Sequence, residues 1–259
     1  MRRCCAIAAL VLLPAGTGCH TGRIAPVADP PGINVLFIGN SYTFWNDLPG
    51  MLEALLDSAG FTDHRIESLA FPSWGLDDHW QVGAAQREIG KGGWDVVVLQ
   101  HGATTVDGRR TLLEYARRFE TEASRVRARV ALYMVWPRKA RLSDFNAVSE
   151  SYSMAADEIG ALLFPAGEAW RAAWRRDPAL ELYGPDGLHP TPMGTYLATL
   201  VMFEQLTGRS PIGLPGTVSI RGGDAPAIML DPRTSRLLQG AAVEATAMYT
   251  SPRTGTTVP

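Results

Sequence analysis

The run Ile33-Asn34-Val35-Leu36-Phe37-Ile38-Gly39 is the first of five short apolar runs in the chain. The others cover 65–70, 94–100 ("WDVVVLQ"), 129–136 ("RVALYMVW") and 161–164 ("ALLF"). The continuous Val/Ile/Leu runs among them mark strands covered on both faces. Between and after them lie segments of helical period, at 47–59, 77–90, 109–127, 144–159, 166–175, 192–206 and 233–248. Strand–helix alternation of this kind builds a parallel sheet with helices on both sides. The expected fold is a three-layer α/β/α domain with a central parallel sheet of about five strands, covering 33–249.

The flanks read differently. Met1-Arg2-Arg3 is a basic start, and Cys4 to Leu13 is apolar but too short to span a bilayer. "LLPAGTGC" places small residues before Cys19, as in a signal peptide. Residues 1–18 resemble a bacterial lipoprotein signal, with Cys19 as the lipidated residue, although Gly16 stands where a larger apolar residue is usual. The chain is therefore expected to be exported and held at the membrane only through Cys19, or else periplasmic or secreted. Residues 19–32 read as a flexible tether and 250–259 as a disordered tail. The stretch 208–232, rich in Gly and Pro, has "TVSI" as its one strand-like piece.

Composition removes several chemistries. All three cysteines, Cys4, Cys5 and Cys19, lie in the leader, so the domain has no thiol nucleophile and no cysteine-based zinc site. His20, His64, His79 and His101 lack metal-ligand spacing, and neither a metal nor a cofactor is expected. A formal net charge of −2 gives no footprint for nucleic acid. No glycine spacing after the first strand suits a nucleotide phosphate.

In a parallel sheet, ligands sit beyond the carboxyl ends of the strands. Ser41 follows the first strand, "FPSWGLDDHW" the second and Gln100 the third, and "YGPDGLHPTPMG" precedes a late helix. Asp186 stands three residues before His189 in that last loop. A serine hydroxyl needs an adjacent base to act as nucleophile near neutral pH. Histidine suits that task, and a carboxylate on its other ring nitrogen fixes the tautomer. Taken alone, Ser41 reads as a helix cap, His189 as a structural histidine and Asp186-Gly187 as a turn.

"FIGNSYT" and "DGLHPTPMGTYLAT" together resemble the first and last blocks of the SGNH (GDSL-like) hydrolase superfamily. The resemblance implies a flavodoxin-like fold and hydrolysis of acyl esters, often acetyl esters of carbohydrates, through an acyl-enzyme. It implies Ser41 as nucleophile, His189 as base and Asp186 as its partner. The N–H groups of Ser41 and Gly75 would be oxyanion donors. Two departures stand out: Asn40 replaces the usual Asp, and the third block, Gly-x-Asn-Asp, is absent, which points to a divergent branch. Gln100 is the candidate replacement donor, with His101 or Thr104 as alternatives. Trp74 and His101 are candidate substrate-binding residues, whereas Trp80 reads as core. The expected partner is a small-molecule or glycan ester. Two other readings stay open: an acyltransferase using the same triad, and a non-catalytic carbohydrate-binding surface protein.

Overall fold

The computed structural model of the chain describes residues 32–250. The expected signal segment, Cys19, nearly all of the tether and the tail after 250 lie outside the described residues.

All five expected strands form: β1 (Val35–Gly39), β2 (Ile66–Ala70), β3 (Val96–Leu99), β4 (Arg129–Tyr133) and β5 (Leu162–Phe164). They pair in parallel in the order β2-β1-β3-β4-β5. Continuous apolar runs are required in β1, β3 and β4 because each of these strands feeds two cores, whereas the edge strand β2 stays partly exposed. Val35 and Phe37 of β1, Val96 and Val98 of β3, and Ala131 and Tyr133 of β4 face one layer. Leu36, Ile38, Val97, Leu99, Val130 and Leu132 face the other.

The helices that cover the first face are α2 (Leu48–Ser58), α7 (Ala166–Arg176), α8 (Pro192–Thr207) and α9 (Pro232–Thr250). The second face carries α3 (Leu76–Val82), α4 (Ala84–Gly90), α5 (Val106–Arg125) and α6 (Phe145–Ile159). The expected helix over 77–90 is divided, because Gly83 adopts φ 74°, a left-handed cap that ends one helix and begins the next. Within 208–232, β6 (Thr217–Val218) falls in the strand-like "TVSI" and pairs with β7 (Ile228–Met229) in a small antiparallel hairpin. One short helix, α1 (Ser41–Phe44), and two 3-10 turns, Trp45–Asp47 and Lys139–Asp144, had no periodic signal long enough to be read. All three lie close to the site.

Candidate active site

The end of β1 runs directly into the turn that presents Ser41. Asn40 caps α1, its Oδ1 accepting the Tyr42 N–H at 3.2 Å. Gly39 is required by close packing: a Cβ there would lie 2.5 Å from Thr43 Oγ1 and 2.6 Å from Gln100 Oε1. Asn40 Nδ2 donates to Trp74 O at 2.8 Å and His101 O at 2.9 Å, which draws the loops after β2 and β3 against the first. His79, buried on α3, donates from Nε2 to Gly39 O at 2.8 Å. Burial holds the His79 pKa below its ordinary value, so it serves as a neutral clamp on the strand end. The backbone N–H of Ser41, at the first helical position, has no hydrogen-bond partner among the described residues. Neither does its hydroxyl.

The late loop forms a second rigid unit. Asp186 Oδ1 accepts the N–H groups of Leu188 and His189, each at 2.9 Å. Its Oδ2 lies 2.5 Å from His189 Nδ1, so the ring proton sits on Nδ1 facing the carboxylate. The Leu188 N–H and then the His189 contacts hold the Asp186 pKa at about 2, well below the usual carboxylate range. Asp186 is thus ionised at any pH at which the base could work. The opposite nitrogen, His189 Nε2, is buried and without a partner among the described residues. Gly184 N–H to His189 O at 2.7 Å and Thr191 N–H to Leu182 O at 2.9 Å close the loop.

Ser41 and the Asp186–His189 pair belong to adjoining parts of one sheet edge. Asn46 bridges them, Nδ2 donating to Pro190 O at 3.0 Å and Thr195 Oγ1 at 2.9 Å. It can do so because Asn46 and Asp47 take left-handed conformations, φ 53° and 49°, which Asn and Asp tolerate better than most residues. The same turn lays the indole of Trp45 on the imidazole of His189, ring centroids 3.9 Å apart and 11° from parallel. No sequence pattern announced this stack, because it depends on two consecutive left-handed residues. Ser41 lines a cavity of about 320 Å³ together with Ser73, Thr105, Arg138, Arg141 and Leu188. His189, Asp186 and Trp45 line a neighbouring one of about 400 Å³.

The other site residues expected from the sequence are engaged in the scaffold. The Gly75 N–H donates to Asp78 Oδ2 at 2.8 Å, capping α3, and is not free to hold an oxyanion. The Gln100 side chain is buried beneath the turn, Oε1 accepting from the Asn40 N–H at 2.8 Å and the Thr43 hydroxyl at 3.0 Å. Its Nε2 is buried without a partner among the described residues and does not reach the cavity. Gln100 therefore supports the nucleophile turn from below. His101 accepts the Leu76 N–H on Nδ1 at 2.9 Å and packs on Gly75, with burial lowering its pKa. Trp74 packs on Phe71 and His79, with centroids at 4.5 and 5.0 Å. Neither Trp74 nor His101 lines the cavity at Ser41, because both are drawn into the contact that joins the β2 and β3 loops. Trp80 lies against Phe119 and Tyr115 in the core layer, as read. Among the described residues, no three His, Cys, Asp or Glu side chains gather as a metal-ligand set.

No protein-family model matches the chain, and no curated protein matches it. Among solved structures, it is similar to a DUF4886 family protein from Bacteroides uniformis, at 18% identity and a TM-score of 0.65, over 83% of this chain and 95% of that one. It is similar to a candidate SGNH hydrolase from Slackia heliotrinireducens at 27% identity and a TM-score of 0.57, over 67% of this chain and 98% of that one. A third is a carbohydrate esterase family 3 structure from Talaromyces cellulolyticus, at 12% identity and a TM-score of 0.54, over 68% and 97%. The five-stranded parallel sheet and these likenesses are together consistent with an SGNH-like superfamily member.

Proposed function

We propose that the protein is an exported serine esterase that hydrolyses short acyl esters, acetyl esters first among them, through Ser41, His189 and Asp186. The observation that carries this reading is the Asp186–His189 pair, which leaves Nε2 of His189 unpartnered at the sheet edge where Ser41 emerges. A candidate hydrolase and an esterase among the similar structures support the same class of reaction.

Ser41 Oγ attacks the ester carbonyl carbon while its proton passes to His189 Nε2. Asp186, ionised and fixed by two backbone N–H groups, stabilises the imidazolium that forms. The carbonyl oxygen becomes an oxyanion, and the unpaired Ser41 N–H is positioned to receive it. Collapse breaks the bond to the alcohol, which leaves with the proton from His189. Water, deprotonated by His189, then attacks the acyl-enzyme carbonyl and releases the acid and Ser41. Ser41 and His189 make no hydrogen bond to each other in this structure. Such contacts are commonly loose before substrate binds and tighten in the complex.

An acetylated carbohydrate is the alcohol class proposed, by analogy with the carbohydrate esterase among the similar structures. Export with an anchor at Cys19 completes the proposal, and a Cys19→Ala variant that still fractionates with membranes would count against the anchor.

The test is hydrolysis of p-nitrophenyl acetate by the purified domain and its Ser41→Ala variant. Turnover is expected to fall by at least about 10³-fold. A fluorophosphonate should add its mass to the peptide that contains Ser41. Equal turnover in the two proteins refutes the nucleophile assignment.

A further inference from the structure

The cavity at Ser41 holds two arginines, Arg138 and Arg141, and one carboxylate, Asp144. Arg141 Nε lies 2.7 Å from Asp144 Oδ2, so that pair is neutral within itself. Arg138 makes no ion pair and no side-chain hydrogen bond among the described residues. The cavity is left with one positive charge that nothing in it balances.

Arg138 is exposed, but the backbone on both sides of it is fixed. Just before it, Trp136 O accepts from the Tyr42 hydroxyl at 3.2 Å, and Trp136 Nε1 donates to Leu188 O at 3.1 Å. The Pro137 carbonyl accepts from the Tyr183 hydroxyl at 2.5 Å. Just after it, the Lys139 N–H donates to Gly187 O at 2.8 Å. These bonds tie the segment to the residue beside Ser41 and to the loop that carries Asp186 and His189. Arg138 thus projects from a frame built between the nucleophile and the base. The Tyr42 hydroxyl feels the charges of both Arg138 and Asp186, which agrees with that placement.

We propose that Arg138 is a substrate-binding residue and that the ester this site takes carries an oxoanion, a carboxylate or a phosphate, close to the scissile bond. The proposal rests on the esterase reading above. A guanidinium presents its donors in a planar fork that matches either oxoanion with two parallel hydrogen bonds. Preference therefore comes from attraction of the anion to the fork, which its neutral analogue lacks.

The experiment compares three acetyl esters: 3-acetoxybenzoate, its methyl ester and 3-acetoxyphenyl phosphate. Wild type, Arg138→Gln, Arg138→Lys and Arg141→Gln are assayed on each. In the wild type, kcat/KM for an anionic ester should exceed that for the methyl ester by about tenfold, chiefly through KM. The ratio should fall towards unity in Arg138→Gln, recover in part in Arg138→Lys and survive in Arg141→Gln. Whichever of carboxylate and phosphate is preferred names the oxoanion. Parity in the wild type, or an equal loss on charged and neutral esters in Arg138→Gln, overturns the proposal. A second measurement needs no turnover: calorimetric titration of Ser41→Ala with 3-hydroxybenzoate and with its methyl ester. Tighter binding of the anion, lost when Arg138→Gln is added, supports the proposal even if no ester is cleaved. Equal affinities overturn it. Absence of cleavage of all three esters by the wild type refutes the esterase reading by itself.

Discussion

Replacing Gln100 with methionine tests whether this residue supports the nucleophile turn or acts on the reacting ester. The side chain is 1% exposed, and methionine has a similar length and volume. The change removes an acceptor used by the Asn40 N–H and the Thr43 hydroxyl. A buried donor left unpaired costs about 1–3 kcal/mol. Thr43 can rotate its hydroxyl, so the amide N–H of Asn40 carries most of the penalty, with a smaller share from Thr43. The substitution also removes the unpartnered Nε2, which offsets part of that cost. The net loss should be about 1–3 kcal/mol, a fall in Tm of about 2–12 °C for a domain of this size. Thermal melts of wild type, Gln100→Met, Thr43→Val and the double variant would measure it. The cycle should show coupling of about 0.5–1.5 kcal/mol, because the two side chains share a hydrogen bond. If Gln100→Met melts with the wild type while kcat falls by about 10²–10³-fold, the support argument is wrong and the amide is an oxyanion donor.

Trp45→Ala should lower kcat on p-nitrophenyl acetate severalfold with a smaller change in KM, because the indole fixes the plane of the His189 ring. Trp45→Phe should restore most of it, and an unchanged kcat in the alanine variant would remove Trp45 from the site. Stability should also depend on pH through His79 and His101, whose pKa values burial lowers from 6.5. The unfolded chain then takes up protons first, so their contribution is complete above about pH 6.5 and declines as pH falls below it. Tm measured between pH 8 and 5 should fall on the acid side, less steeply in His79→Gln; a flat profile would contradict the burial argument.

The sheet was legible because a strand buried on two faces needs an unbroken apolar run, as β1, β3 and β4 have. The Asp186–His189 contact was legible for a related reason: three residues of a tight loop bring both groups together with little freedom. Gln100 was misplaced because the end of a strand names a position without a direction. Its parity with Val96 and Val98, which face the α2 and α8 layer, contained the answer, since alternate residues share a face. Gly75 failed for another reason: Asp78, three residues on, is a natural capping acceptor for its N–H. Arg138 gave no signal at all, because its surroundings come from Tyr42, Tyr183 and Gly187, which are distant in the chain.

The capping residue Asn40 has a consequence that extends past its own turn. Its two amide hydrogens are both spent, one on Trp74 O and one on His101 O. The aspartate usual at this place has no hydrogen to give when ionised, and would point negative charge at two carbonyl oxygens. The exchange of one NH2 for one oxygen is therefore not a neutral spelling variant of the first block. It sets the direction in which two later peptide groups must face, and with them the path of the chain through Gly75 and His101. The unusual residue after Gly39 and the altered loop after β3 are, on this view, two halves of a single adjustment.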